Sequence, residues 1–253
     1  WTAAVRKAVR HRVTAFVAPH GETSAAIVTA VLIGDRSALS FDVRDRLQAA
    51  GTYHVIAISG GNVVLLAGIV VGLLALTGWP PRVTSLVAAL ALLAHAAVVA
   101  PGSSVARATV VAVAYLAARA LELGTSPWQV LALAAVCVVV PSPLDVSNAG
   151  FVFTFGATAA LLTVIPWTAT WRVHWAARWL TVSVVSSLAV DAVLLPASAA
   201  LLSRVSVAGP LLNLVAVPLM GVVQIAGMVT ALPQPVDAVA RVSGVVAHLA
   251  AMG

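Results

Sequence analysis

Charge is scarce in this chain: only 9% of its 253 residues are Asp, Glu, Lys or Arg, where a water-soluble domain carries roughly 25%. A soluble body could not keep its surface wet with so little. Hydrophobic residues fill the balance, at 61% of the total and a mean hydropathy of +1.05. Cysteine is almost missing too. Cys137 stands alone in an apolar run, which excludes an internal disulfide and a cysteine-built metal cage and leaves the redox compartment undefined. No G-x-x-x-x-G-K-[ST] loop occurs, so no phosphate cradle for nucleotide-powered transport is present. No removable signal peptide is expected either, because the first strongly apolar stretch lies internally and lacks a cleavage pattern.

What remains is a succession of apolar runs separated by short polar breaks, at about 20 residues per run, the length that crosses a bilayer core. They are Val55 to Leu76, Val83 to Ala100, Val105 to Leu121, Val130 to Val140, Phe151 to Ile165, Leu180 to Leu195, Leu211 to Leu232 and Val236 to Ala251. The pattern predicts an all-α, polytopic integral membrane protein with about seven or eight transmembrane or partial helices and interfacial amphipathic helices beside them. Residues 1–53 read as a basic, interfacial lead-in and residues 54–253 as the transmembrane domain. The opening Trp1, with no initiator methionine, and the apolar run to Gly253 suggest a segment of a longer protein, truncated at both ends. Val130 to Val140 is short for a crossing and ends at Pro141-Ser142-Pro143, so it reads as a partial or tilted helix. Pro196 interrupts its run, and Pro210 and Pro218 punctuate another. These predict kinks or discontinuous helices, as around transport pathways.

In the lead-in, Thr2 to Phe16 sets valine and alanine among Arg6, Lys7, Arg10 and Arg12, the composition of a helix on a membrane surface or of a basic linker. Ala25 to Ile33 and Phe41 to Gln48 read as two short interfacial helices, divided by Gly34-Asp35-Arg36-Ser37. The net charge of +6 is concentrated in patches between spans, where it can meet anionic lipid or nucleic acid. Trp167, Trp171, Trp175 and Trp179 fall four residues apart, with Arg172, His174 and Arg178 between them. On one helix they would form a slowly drifting aromatic face, suited to an in-plane interfacial anchor or, as the lesser alternative, to base stacking. Arg82, Arg119, Arg172 and Arg178 share one side of the membrane against Arg204 on the other. This marks the first side as cytoplasmic and puts residues 1–53 outside, against the sense of their own basic charge.

Several polar residues stand inside apolar runs. The run from His54 to Leu76 opens with a histidine and then Ser59-Gly60-Gly61-Asn62. In hydrocarbon every backbone polar group needs an internal partner, so this stretch packs on neighbouring helices or lines a watery cavity. Arg107 follows Pro101-Gly102-Ser103-Ser104 into a span that is otherwise nearly all apolar, where it snorkels, pairs or faces water. Asp191, shortly before Pro196, is paired with an arginine, protonated or open to a cavity. His95 reads as a hydrogen-bonded packing residue, Gly68 and Gly72 as a small-xxx-small pair for close helix packing, and Phe151, Phe153 and Phe155 as packing groups. Asn213 and Gln224 bond across helices or line a pathway.

Taken in order, Gly34-Asp35-Arg36-Ser37, His54-Val55-Ile56-Ala57-Ile58-Ser59-Gly60-Gly61-Asn62, Ser104-Val105-Ala106-Arg107, Gly150-Phe151-Val152-Phe153-Thr154-Phe155 and Pro210-Leu211-Leu212-Asn213-Leu214-Val215-Ala216-Val217-Pro218 form a series. Their order and spacing resemble the competence domain of the ComEC family, from about Ala25 to about Gly227. The resemblance implies a multi-pass channel in the bacterial inner membrane that passes single-stranded DNA into the cytoplasm during natural transformation. It departs from the family's commonest pattern at Gly61 and Asn62, where a leucine and a second histidine usually stand, and at Val152 and Thr154, where glutamine and serine do. The missing second histidine puts a proton- or metal-linked role in doubt. The extracytoplasmic OB-like domain and the metallo-β-lactamase-like domain of full-length members are not visible, so nuclease activity is not assigned to this segment.

A channel for a polyanion needs cations that follow phosphates loosely, close backbone approach, and no site tight enough to trap the strand. The DNA-pathway candidates are Arg36, Arg44, Arg46, His54, Ser59, Gly60, Gly61, Asn62, Arg107, Asp191 and Asn213. No catalytic residue, metal or cofactor is expected. The expected partners are single-stranded DNA, the lipid bilayer, a DNA receptor, a cytoplasmic translocation motor and, as an open possibility, a second copy of the chain. Two other functions stand beside this one. A small-solute or ion transporter would use Asp191 and the Ser59 to Asn62 break as its site. An intramembrane serine hydrolase would use Ser59 with His95 or His248 as its base.

Overall fold

Helix is the only regular structure among the residues that the computed structural model describes, which are 1–43, 45, 60–99, 103–171, 174–202, 209–233 and 237–252. The elements are α1 (Thr2–Phe16), α2 (Glu22–Ile33), α3 (Gly60–Leu76), α4 (Pro81–Val98), α5 (Ser103–Ala120), α6 (Pro127–Val139), a 3-10 turn (Pro143–Ser147), α7 (Ala149–Ala169), α8 (Trp175–Leu202), α9 (Gly209–Ala231) and α10 (Asp237–Met252). The eight helices from α3 to α10 fall on the eight apolar runs. Pro81–Val98, Ala149–Ala169 and Leu214–Ala231 are long and apolar enough to cross a membrane. At 1.5 Å per residue, the 21 residues of α7 span about 32 Å.

Local chemistry sets several helix ends. Ser126 heads α6 with a capping box: its hydroxyl accepts from the Gln129 amide at 3.3 Å, and the Gln129 side chain accepts from the Ser126 amide at 2.7 Å. Pro127 follows at the first helical position, where its missing N–H costs nothing. Asn148 caps α7 by accepting from the Gly150 amide at 2.9 Å. Gly34 closes α2 in the left-handed region at φ 75°, a conformation that glycine adopts freely.

The helices assemble around separate hydrophobic cores. The first joins Val13 of α1, Val17 just after it and most of α2 to Met220, Val223 and Ala226 of α9 and Ala247 of α10. The second joins Val63 and Leu66 of α3, Ala88, Ala89 and Leu92 of α4, and Val105, Ala108 and Leu116 of α5. A third gathers Leu131 and Ala134 of α6 with Phe155 of α7 against the outer face of α5. α8 packs along α7 and, more lightly, on α9.

Four expectations need correction. The segment Ala25 to Ile33 does not lie at an interface: nine of the twelve residues of α2 are buried, because a helix that is apolar all round is driven to the centre of a bundle. Pro196 and Pro218 do not divide their helices, since α8 and α9 run through them. The four tryptophans do not share a helix. α7 ends at Ala169 and α8 starts at Trp175, with Thr170, Trp171 and His174 outside both, and the Trp167 and Trp171 rings meet edge to face at 5.0 Å. Among the described residues Gly68 and Gly72 do not mediate close packing; none of these lies within 4 Å of where a Cβ would stand on either.

The basic residues of α1 hold the fold together. Arg6 donates from Nε to the Val98 carbonyl at 2.5 Å and from Nη2 to the Val99 carbonyl at 2.8 Å, at the end of α4. Arg12 donates from Nε to the Thr230 carbonyl at 2.8 Å, at the end of α9. Its guanidinium also lies over the Phe16 ring, 5.0 Å from the centroid. The last four carbonyls of a helix lack intrahelical partners and carry its negative dipole end, so a guanidinium there satisfies both needs. Arg10 pairs with Asp35 at 2.8 Å and ties α1 to the loop after α2.

Candidate functional site

Arg107 sits near the start of α5 and is 4% exposed. Its guanidinium lies directly on Gly150 at the N-terminus of α7, where any Cβ would overlap Nη2. Nε approaches the Thr154 hydroxyl at 3.4 Å, a long contact, while that hydroxyl donates to the Gly150 carbonyl at 2.8 Å. Asp145, on the 3-10 turn, is the carboxylate whose charge acts on Arg107, although among the described residues the guanidinium makes no ion pair. Nη1 is buried and has no hydrogen-bond partner. Removing a cation from water without a matched anion costs several kcal/mol. The arrangement therefore favours an incoming anion that can reach Nη1.

A second polar locus lies where α3 meets α9 and α5. Gly60 touches Ala108, the neighbour of Arg107, at 3.7 Å from its would-be Cβ. Two residues on, the Asn62 carbonyl accepts from Gln224 Nε2 of α9 at 2.9 Å. Asn62 is 5% exposed and Gln224 1%. Asn62 Nδ2 and Gln224 Oε1 are buried without partners, as is the Thr109 hydroxyl on α5. Neutral amides of this kind can donate and accept without holding a polyanion tightly.

The other predicted residues are dispersed. Gly61 is exposed on α3 and Arg36 is half-buried in the loop after α2, next to the Asp35 that pairs with Arg10. Asp191 is half-buried on α8, whose packing partners are α7 and α9. Asn213 lies on the first turns of α9. Arg44, Arg46, His54 and Ser59 lie outside the described residues. His95 keeps a buried Nε2 that makes no hydrogen bond. His248 meets Ser24, with Nδ1 and Oγ 2.9 Å apart, and that serine is buried. Phe151 and Phe155 pack against each other at 4.4 Å, with Phe155 in the third core.

Sequence reasoning isolated Arg107 but not its setting. Gly150 was visible as the head of a motif; that it is glycine because a guanidinium rests on it requires the packing of α5 on α7. Gln224, expected to bond across helices or line a pathway, does bond across helices, to the Asn62 carbonyl.

An all-helical protein with helices of membrane-crossing length and a buried, incompletely matched arginine is the class so defined. The competence protein family matches residues 31–252, nearly the whole chain, and the chain belongs to that family. Membership gives it a role in competence, the uptake of DNA. No curated protein and no solved structure matches it.

Proposed function

We propose that this chain is the multi-pass channel part of a competence protein in the bacterial inner membrane, which passes one strand of DNA between its helices. The observation that carries the reading is Arg107, a buried guanidinium with one nitrogen unmatched, held near the polar start of α3 in a chain of the competence family. A phosphodiester has the charge and the acceptors that Nη1 lacks, and one loose contact per phosphate lets the strand move on. On this reading the chain carries no catalysis. A DNA receptor delivers the strand, and an external motor or the proton gradient supplies the work, because the sequence has no nucleotide-binding loop of the common kind.

The test is import of labelled DNA into a naturally competent host whose own channel is replaced by the full-length protein bearing this segment. Arg107→Gln is expected to lower import strongly at unchanged membrane insertion, with Arg107→Lys intermediate. Wild-type import by Arg107→Gln would remove this residue from the pathway.

A further inference from the structure

Resting on that reading, we propose where the strand passes: along the seam between the α1–α2–α9–α10 half and the α3–α4–α5 half, with Asn62 and Gln224 as the groups that meet it.

The two halves have separate hydrophobic cores. Few side chains bridge them: Met228 packs against both, and Val98 of α4 leans on the first. Where α3 faces α9 the fit is light. A Cβ on Gly221 would stand 3.6 Å from Leu65 Cδ2, ordinary contact rather than interlocking. Among the described residues, polar ties that cross between the halves are Gln224 to the Asn62 carbonyl and Arg6 to the end of α4.

The chemistry at the first tie is unfinished. A carbonyl can only accept, so Gln224 must turn its NH2 to Asn62, and its own oxygen is then the unmatched atom. Asn62 Nδ2 could complete a reciprocal pair with that oxygen, yet both remain unpartnered at more than nine-tenths burial. An interhelical bond that served packing alone would be closed on both sides, since half-satisfied buried amides are unfavourable. A donor and an acceptor left over at one junction suit a guest that carries both, as the edges of nucleobases do. Because the amides are uncharged, the strand is not trapped, and because each base offers both kinds of group, none is preferred.

The experiment uses the full-length protein in a competent host, with Cys137→Ser to remove the native thiol. Leu65→Cys and Gly221→Cys are introduced together and bridged by a short bis-methanethiosulfonate reagent. Import is expected to be lost on bridging and to return on reduction. Unchanged import with the bridge fully formed overturns the seam and leaves the channel reading intact, whereas a wild-type protein that imports no DNA overturns the channel reading itself. If the double variant imports nothing even when reduced, Gln224→Cys decides. Faster reaction with a charged, membrane-impermeant methanethiosulfonate when DNA is supplied supports the seam, and an unchanged rate overturns it.

Discussion

The half built from α3 to α7 and the half built from α1, α2, α9 and α10 are put together on different principles. In the first, each helix packs on its successor: α3 on α4, α4 on α5, α5 on α6, α6 on α7. Short loops join neighbours, so the architecture follows the order of the chain. Exposed pairs such as Arg82 with Glu122, whose Nε and Oε1 are 2.6 Å apart, only tie together turns that already adjoin. The second half gathers helices from both ends of the chain around a central α2, and its closing contacts run from arginine side chains to helix carbonyls as many as 218 residues away. One half is held by sequence-local hairpins and the other by long-range caps. A strand could be given room between them without dismantling either.

The sharpest way to break that contrast is at Gly244 of α10, where a Cβ would collide with the backbone carbonyl of Phe16 at the end of α1. Gly244→Ala is expected to destabilise the protein by about 1–3 kcal/mol, because overpacking against fixed backbone outweighs the gain in helix propensity. The readout is thermal unfolding in detergent, together with faster proteolysis within α1; an unchanged melting temperature would show that α1 is not seated as described. Gly68→Ala makes the opposite test in the other half. Its Cβ points into open space, so removing glycine's backbone freedom should stabilise α3 by about 0.5–1 kcal/mol. A loss of stability, or a shift in oligomeric state, would reveal a helix from another chain on that face.

The smallest effect concerns the tie between Arg10 and Asp35. The Ser37 hydroxyl, with further help from the Ser37 amide and Arg10, holds the Asp35 carboxyl below its ordinary value of 3.8 despite partial burial. A depressed carboxyl contributes stability above its unfolded value and loses it as pH falls through the folded one, so the contribution begins to fall near pH 3.8 and is gone only below the folded value. For so exposed a pair it amounts to less than about 1 kcal/mol. Asp35→Asn should therefore melt slightly below wild type at neutral pH, with the gap narrowing as the pH is lowered from about 4, as followed by circular dichroism. A gap that does not narrow would assign the difference to something other than the charge.

Much of the first half was legible in the sequence, because apolar run length is a local property: every run from Val55 to Ala251 contains one helix. The role of the lead-in was not. Arg6 and Arg12 look like the polar face of a surface helix, and nothing near them in the sequence announces Val98 or Thr230. The tryptophan ladder misled for the reverse reason, since a regular spacing continues past a helix end as readily as along a helix. Pro196, read as a kink or a break, is not a break, because a long helix can give up one backbone hydrogen bond, to the carbonyl four residues before, while its neighbours hold it. At the candidate site, Arg107 and Asn62 stood out as polar residues in apolar surroundings. Gln224 stood out in the same way, and the bond across helices expected of it is made to the Asn62 carbonyl; Gly150 acquired its role under Arg107 only once α7 was laid against α5.

The caps made by α1 also bear on how the protein is born. Thr230 emerges from the ribosome roughly 10–40 s after Arg12 at ordinary synthesis rates. Through that interval α1 carries its guanidinium without the acceptor it will finally hold, while the helices between it and α9 are made. α1 is thus made before the helices that lie between it and α9 yet is completed after them, and newly made chains should pass through a stage in which α3 to α8 are protected from protease while α1 is still open to it.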